Sequence, residues 1–113
     1  MKRDAYIKHI LNAIIAIEEF THNVSYEDFV TNNEKQSAVI RQFEIIGEAV
    51  NQLEKAFQEE NKSLRDIHIP IEEIVEMRNI LIHEYFGVDL ELVWDTLKED
   101  LPNLKTQLKN VTD

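Results

Sequence analysis

The sequence predicts an all-α fold, an antiparallel bundle of four or five helices, from three observations. Apolar residues recur at three- and four-residue steps through most of the 113 residues, which is the spacing of one helix face. The chain has only two glycines and two prolines, too few for the many turns of a β-sandwich or barrel. Hydrophobic residues make up 43% of it, which is enough for a core and excludes wholesale disorder. We therefore expect residues 1–113 to form a single helical domain.

The first helix is expected from about Asp4 to Thr21. Asp4 is a suitable N-cap, because its carboxylate can accept a hydrogen bond from a free N–H of the first turn. Five isoleucine and leucine residues and a threonine then share one helix face: Ile7, Ile10, Leu11, Ile14, Ile17 and Thr21. The polar stretch 22–31 is expected to be a connection with at most one short turn of helix.

The second helix has the clearest pattern. Asn33 is expected to cap it, and a seam of apolar residues follows at alternating steps of four and three: Val39, Phe43, Ile46, Val50, Leu53 and Phe57. A second row widens the apolar face: Ala38, Ile45, Ala49 and Ala56. Such a helix is either central in the bundle or also buried against a second protomer. Gly47 lies in mid-helix, where glycine costs about 1 kcal/mol relative to alanine, so we predict a close approach to the backbone there.

Two further helices are expected after the polar segment 58–63. Pro70 suits the first turn of a third helix, because its ring fixes a helical φ and its missing N–H would have no partner there. Gly87 is expected to end that helix as its C′ residue. Asp89 is expected to cap a fourth helix, whose pattern Pro102 interrupts. Residues 101–111 are therefore either a kinked continuation or a short fifth helix.

Charge and composition restrict the functions open to the chain. Twelve Lys and Arg against 22 Asp and Glu give a net charge of −10, which repels nucleic acid at long range. Chemistry on phosphate therefore requires a local positive pocket or a basic partner. The absence of cysteine excludes disulfides, thiol catalysis and zinc–thiolate sites. No apolar run reaches the roughly 18 residues of a membrane span and residues 1–4 do not begin a signal peptide, so we expect a cytoplasmic protein without a membrane partner.

Metal chemistry has little support in the sequence. A di-iron bundle needs paired Glu-x-x-His motifs on facing helices, and the chain offers the single pair Glu19 and His22. A solvated helix end is the favoured interpretation of that pair. A glycine-rich phosphate loop, a His-Glu-x-x-His motif and a nucleophile elbow are all missing from the sequence. We expect no metal and no cofactor, which makes a metal-storing bundle the least favoured hypothesis.

The segment 77–87 carries the candidate site: Arg78, Asn79, His83 and Tyr85. Asn79 and His83 are four residues apart, so the amide can orient the imidazole on one helix face. Arg78 is about 140° around the helix from His83 and roughly 7–8 Å along it. The two side chains can share a small site only if the last turn unwinds near Gly87 or if two copies of the helix meet in a homodimer.

Such a set of side chains supports metal-free phosphoryl transfer. An imidazole can take a proton from a ribose 2′-OH or give one to a leaving 5′-oxygen, and a guanidinium can stabilise the charge that develops on phosphorus. Two histidines in a symmetric dimer could divide the acid and base roles. The ordinary alternative stays open at this point: basic groups that cap helix carbonyls, beside core aromatics.

The sequence Arg78-Asn79-x3-His83-x-Tyr85 resembles the signature of the HepT-like toxins, a branch of the HEPN (higher eukaryotes and prokaryotes nucleotide-binding) superfamily. The likeness extends over nearly the whole chain. Three further blocks carry it: Ala38-Val39-Ile40-Arg41 with Ile45-Ile46-Gly47-Glu48-Ala49, His83–Asp89 running into Val93-Trp94, and Asp100-Leu101-Pro102.

The resemblance implies an all-α homodimer whose paired motifs form a cleft that cleaves RNA without a metal, as the toxin of a toxin–antitoxin pair. It implies that His83 is the general acid/base, Arg78 the phosphate binder and Asn79 their polar support. It also implies an MntA-like nucleotidyltransferase antitoxin, which neutralises the toxin by forming a complex or by transferring AMP to Tyr85. An alternative is a non-catalytic module that docks a nucleotidyltransferase. The net charge favours that alternative unless further cations join Arg78 at the cleft: Lys35, Arg41, Arg65 or the Lys2–Arg3 end.

Overall fold

The computed structural model describes residues 2–83 and 89–111, and the side chains of Lys2, Ile82 and His83 are outside that description. This part of the chain contains six α-helices: α1 (Lys2–Phe20), α2 (Tyr26–Val30), α3 (Asn33–Glu59), α4 (Ile71–His83), α5 (Leu90–Asp95) and α6 (Leu101–Val111). A turn of 3₁₀ helix, Leu64–Ile67, follows α3, and a π-helical turn, Thr96–Asp100, joins α5 to α6. The described residues include no strand, so the predicted all-α bundle is confirmed.

Helix α1 starts earlier than the sequence predicted. It begins at Lys2, so Asp4 lies inside the first turn and is not the N-cap. A carboxylate anywhere in the first turn is stabilised by the positive end of the helix dipole, and a first-turn Asp therefore resembles a cap in the sequence. At the other end, Thr21 follows the helix and its hydroxyl donates to the Ile17 carbonyl at 2.7 Å. The predicted apolar face is confirmed, because Ile7, Ile10, Ile14 and Ile17 are at most 1% exposed.

Helix α3 is the central element. It packs against α1, α2 and α4, and its predicted seam from Val39 to Phe57 is buried. Its N-cap is Asn32 and not Asn33: the Asn32 side chain accepts a hydrogen bond from the Lys35 N–H at 3.0 Å. Two adjacent asparagines offer the same cap chemistry, and the pattern alone did not separate them. The central position predicted for this helix is confirmed, and its burial against a second protomer stays a prediction.

The connections behave largely as predicted. The stretch 22–31 contains one short helix, α2, whose N-cap Ser25 accepts from the Asp28 N–H at 3.1 Å. Asp89 caps α5 as expected, accepting from the Leu92 N–H at 3.1 Å. The chain then continues as helix through residues 96–111, with one π-helical turn directly before Pro102. Residues 101–111 therefore form a further helix, α6, which the π-helical turn joins to α5; the predicted kink stays a prediction. Gly87 lies outside the described residues, and its role as a helix stop stays a prediction.

The segment between α3 and α4 is organised by Glu54, which the sequence patterns did not reveal. The Glu54 side chain is buried and accepts three short hydrogen bonds, from the Ser63 hydroxyl and the Leu64 N–H at 2.8 Å and from Arg65 Nη1 at 2.9 Å. Arg65 also binds Glu72 in the first turn of α4, and this hydrogen bond holds the pKa of the Glu72 carboxyl below its usual range. The network therefore ties the start of α4, and with it the candidate site, to α3.

Replacing Glu54 by alanine is expected to lower the free energy of unfolding by about 3 kcal/mol, because the buried Leu64 N–H loses its acceptor and Arg65 loses a partner. Urea denaturation followed by circular dichroism measures this change. Glu60→Ala is the matched control: its exposed carboxylate pairs with Arg3 at 3.5 Å, and such surface pairs contribute less than about 1 kcal/mol. Equal denaturation midpoints for the two variants would show that Glu54 does not organise this segment.

None of the described helices combines the length and the apolar character that crossing a membrane requires.

Candidate functional site

Helix α4 carries the predicted site residues Arg78 and Asn79 and ends at His83. The His83 backbone is helical, but the His83 side chain and the whole of Tyr85 lie outside the described residues. Because α4 is α-helical from Ile71 to His83, no unwound turn separates Arg78 from His83. The unwinding near Gly87 that the sequence allowed falls on residues 84–88, outside the described residues, and stays a prediction.

The close approach predicted at Gly47 is confirmed, and the group that approaches is Arg78. Gly47 is buried in α3, and the aliphatic stem of Arg78 lies directly across it. A Cβ atom at position 47 would lie 2.9 Å from Arg78 Cγ and 3.0 Å from Arg78 Cδ, closer than carbon atoms pack. The glycine therefore creates the space in which the stem of the candidate phosphate-binding arginine lies against the backbone of α3.

The Arg78 guanidinium is held by a carboxylate and an amide. Arg78 Nη1 donates to Glu48 Oε2 at 2.7 Å, and Nη2 donates to Asn79 Oδ1 at 2.7 Å. Gln52 Nε2 donates to the other Glu48 oxygen at 3.1 Å, so the carboxylate is itself held in place. Arg78 Nε is buried and has no hydrogen-bond partner among the described residues. The Asn79 amide oxygen is thus bonded to Arg78, whereas the predicted contact of Asn79 with the His83 imidazole lies outside the described residues. Glu48 was not among the residues that the sequence indicated.

The guanidinium retains the capacity to bind an anion. Of the five N–H groups of a guanidinium, the bonds to Glu48 and Asn79 use two and burial of Nε removes a third, which leaves one on each terminal nitrogen. The Arg78 side chain is 24% exposed to solvent. Planar N–H pairs on arginine match the oxygen pairs of a phosphate, so this group can bind a phosphodiester while it remains bonded to the protein.

Four of the other cations that the sequence offered for RNA binding are engaged with other groups, and the fifth, Lys2, has its side chain outside the described residues. Their partners in the structure are Glu60 and the Phe57 ring for Arg3, the Phe20 carbonyl for Lys35, Glu44 for Arg41, and Glu54 with Glu72 for Arg65. Arg41 has the most exposed side chain of these, at 69%. Arg78 is likewise paired, with Glu48, so what distinguishes it from these cations is its place on α4 five residues before His83. Across residues 2–83 and 89–111, no cluster of three or more His, Cys, Asp or Glu could hold a metal ion.

The chain as a whole is similar to a family of known proteins. The profile of the family described as "Ribonuclease HepT-like" matches residues 10–111. A "Probable ribonuclease HepT" of Thermococcus cleftensis is 42% identical over 106 residues, which cover 94% of this chain and 92% of that protein. A Methanocaldococcus jannaschii protein named "Gamma-glutamylcyclotransferase and putative RNase" is 44% identical over 115 residues, and the chain spans 50% of its length. No solved structure matches the chain significantly.

Proposed function

The chain belongs to the HepT-like ribonuclease family, and we propose that it is a metal-independent endoribonuclease whose site is shared by two copies of the chain. The assignment as a ribonuclease rests on the family. The details of the site rest on one observation: α4 presents a hydrogen-bonded, partly exposed guanidinium at Arg78, five residues before His83 on the same helix. Asn79 supports that guanidinium through its amide oxygen.

A second copy is part of the proposal because of helix geometry. Positions 78 and 83 of a regular α-helix are about 140° apart around the axis and roughly 7.5 Å apart along it, so both side chains of one copy do not readily meet at one phosphate. Two α4 ends that face each other would place the guanidinium of one copy beside the imidazole of the other. Two copies would also bring two Arg78 side chains to the cleft, which helps an acidic chain to bind RNA.

The proposed reaction is an attack of the ribose 2′-OH on the adjacent phosphorus. The His83 imidazole of one copy takes the 2′-OH proton as the new P–O bond forms. The bond from phosphorus to the 5′-oxygen breaks, and the leaving oxygen takes a proton from the second imidazole, which leaves a cyclic phosphate and a 5′-OH. Arg78 stabilises the negative charge on the non-bridging oxygens in the transition state.

We further propose that the chain acts in the cytoplasm as the toxin of a toxin–antitoxin pair. Its partner would be an MntA-like nucleotidyltransferase that forms a complex with it or transfers AMP to Tyr85. An AMP group beside His83 and Arg78 would add bulk and a phosphodiester charge at the cleft. Both effects would exclude RNA, so a single modification would switch the enzyme off.

RNA cleavage in excess EDTA tests the proposed activity. The wild-type protein is expected to cut RNA, and His83→Ala protein prepared in the same way is expected to leave it intact. Equal cleavage by the two proteins contradicts the proposed site. A wild-type protein that cuts no RNA and harms no cells, yet binds a nucleotidyltransferase stably, would instead support the non-catalytic binding module.

Intact-mass measurement tests the role of Tyr85. After co-expression with an MntA-like nucleotidyltransferase, wild-type protein is expected to gain the mass of one or more AMP units. Tyr85→Phe is expected to gain none, because it lacks the acceptor hydroxyl. Tyr6→Phe is the matched control and is expected to be modified like the wild type. AMP mass on the Tyr85→Phe protein would rule out the assignment.

A further inference from the structure

Glu48 lies on α3, 30 positions from Arg78 in the chain, yet its carboxylate binds the Arg78 guanidinium directly at 2.7 Å. We propose that Glu48 is a positioning residue for RNA cleavage: it fixes the orientation in which Arg78 presents its free N–H groups to the phosphate. This inference rests on the proposed function, because it takes Arg78 as the group that binds the reacting phosphate. It adds a residue outside the Arg78–His83 motif to the machinery of the site.

The contacts around Arg78 restrict its side chain at several points. The stem lies against Gly47, one terminal nitrogen is bonded to Glu48, and the other is bonded to Asn79. The Gly47 contact fixes where the stem lies, but it does not fix the rotation of the guanidinium plane about the end of the stem. Asn79 lies next to Arg78 on the same helix, so Glu48 is the contact that ties the guanidinium to α3.

Glu48 is itself suited to hold a fixed direction. Its second carboxylate oxygen accepts from Gln52 Nε2 at 3.1 Å, one helical turn further along α3. Gln52, Glu48, Arg78 and Asn79 thus form one chain of hydrogen bonds that links α3 to α4. In a long side chain several torsions are free, and holding them in advance lowers the entropy lost when the transition state forms.

The negative charge of Glu48 distinguishes a role in positioning Arg78 from a direct contribution to RNA binding. The Glu48 carboxylate is negative and its side chain is 53% exposed, so it repels the RNA backbone. Its removal therefore does not weaken RNA binding through charge, whereas it does release the guanidinium. We expect the cleavage rate to fall while RNA affinity stays the same or increases. A purely structural role would give a different result: loss of folded protein would lower the cleavage rate and RNA binding together.

The experiment compares Glu48→Ala with Glu44→Ala. Glu44 lies one turn earlier on α3 and pairs with Arg41 at 3.6 Å, so its replacement removes the same charge from the same helix and leaves the Glu48–Arg78 hydrogen bond in place. Single-turnover cleavage of RNA in EDTA gives the rate, and binding of a 2′-O-methyl RNA, which cannot be cleaved, gives the dissociation constant. Glu48→Ala is expected to lower the rate about 10- to 100-fold with an unchanged or tighter dissociation constant. Glu48→Gln is expected to recover most of the rate, because its amide oxygen can accept the same hydrogen bond.

Two results would overturn the proposal: equal cleavage rates for the Glu48→Ala and Glu44→Ala proteins, or a loss of rate in Glu48→Ala that is matched by weaker RNA binding. If Arg78→Ala cleaves RNA like the wild type, the proposed role of Arg78 is itself wrong. That result is distinct from the two above, which reject only the role of Glu48.

NMR of the arginine side chains supplies a readout that needs no RNA cleavage. The Arg78 Nη protons, assigned with an Arg78→Lys sample, are expected to be resolved in the wild type and in Glu44→Ala, because their hydrogen bonds slow rotation. In Glu48→Ala these proton signals are expected to merge into one averaged signal, because the guanidinium rotates faster without the bond to Glu48. Unchanged Arg78 signals in Glu48→Ala would contradict positioning by Glu48, whether or not the protein cleaves RNA.

Discussion

Alanine at position 78 is expected to lower the rate of RNA cleavage about 10²- to 10³-fold, the loss typical of removing one donor that stabilises transition-state charge. The fold is expected to persist. The Arg78 side chain is partly exposed, and alanine retains the Cβ that packs on Gly47. Lysine at the same position is expected to restore little of the rate. A single ammonium on a flexible stem cannot reproduce the planar donor pairs that bind Glu48, Asn79 and a phosphate together.

Initial cleavage rates in EDTA measure this effect, with Arg41→Ala as the control. Arg41 is an exposed arginine on α3 that pairs with Glu44, so the control removes one positive charge and leaves the hydrogen bonds of Arg78 in place. Its effect is expected to be small and to disappear as salt is added, because it acts only through long-range charge. An Arg78→Ala protein as active as Arg41→Ala would remove Arg78 from the proposed mechanism.

Leucine at position 47 is expected to lower the free energy of unfolding by about 3 kcal/mol, because it forces extra atoms into a packed helix–helix contact. The position has no free space: even a Cβ would lie 2.9 Å from Arg78 Cγ. RNA cleavage is expected to be lost as well, since the displaced atoms are the stem of the phosphate-binding arginine. Alanine is expected to have a smaller effect, because a gain of about 1 kcal/mol in helix propensity opposes the steric clash.

Urea denaturation followed by circular dichroism measures the stability of the Gly47 variants. Ser37→Leu is the matched control: it introduces the same side chain at an exposed position of α3 and is expected to leave the midpoint nearly unchanged. If Gly47→Leu has the same midpoint as Ser37→Leu, the inference that α3 and α4 pack closely at Gly47 is wrong.

The sequence predicted those features that depend on the residue pattern within a single helix. The buried face of α1 and the seam of α3 follow from apolar spacing, because burial repeats with the helical period. Gly47 was informative because glycine is costly inside a helix and persists there when a neighbour needs the space. Helix starts were less certain, since Asn32 and Asn33 have identical side chains and Asp4 fits both a cap and a first turn.

The contacts that organise the site could not be predicted from local patterns. Glu48 meets Arg78 across 30 positions of the chain, and Glu54 meets Arg65 across 11. The residues next to a surface glutamate in the sequence do not show whether it faces water or a distant guanidinium. These two partners were therefore identified only from the structure. The relation between Arg78 and His83 of different copies depends on how two chains meet, which no spacing within one chain specifies.

Cross-linking through an introduced cysteine tests the central claim, that the α4 ends of two copies face each other. The chain has no cysteine of its own, so Asn79→Cys places a single thiol beside Arg78, and Ile15→Cys, at a side chain that is 41% exposed on α1, serves as the reactivity control. With a short bis-maleimide linker, Asn79→Cys is expected to give a covalent dimer in high yield and Ile15→Cys far less. An Asn79→Cys protein that reacts fully with maleimide yet remains a monomer on a denaturing gel would contradict the shared site.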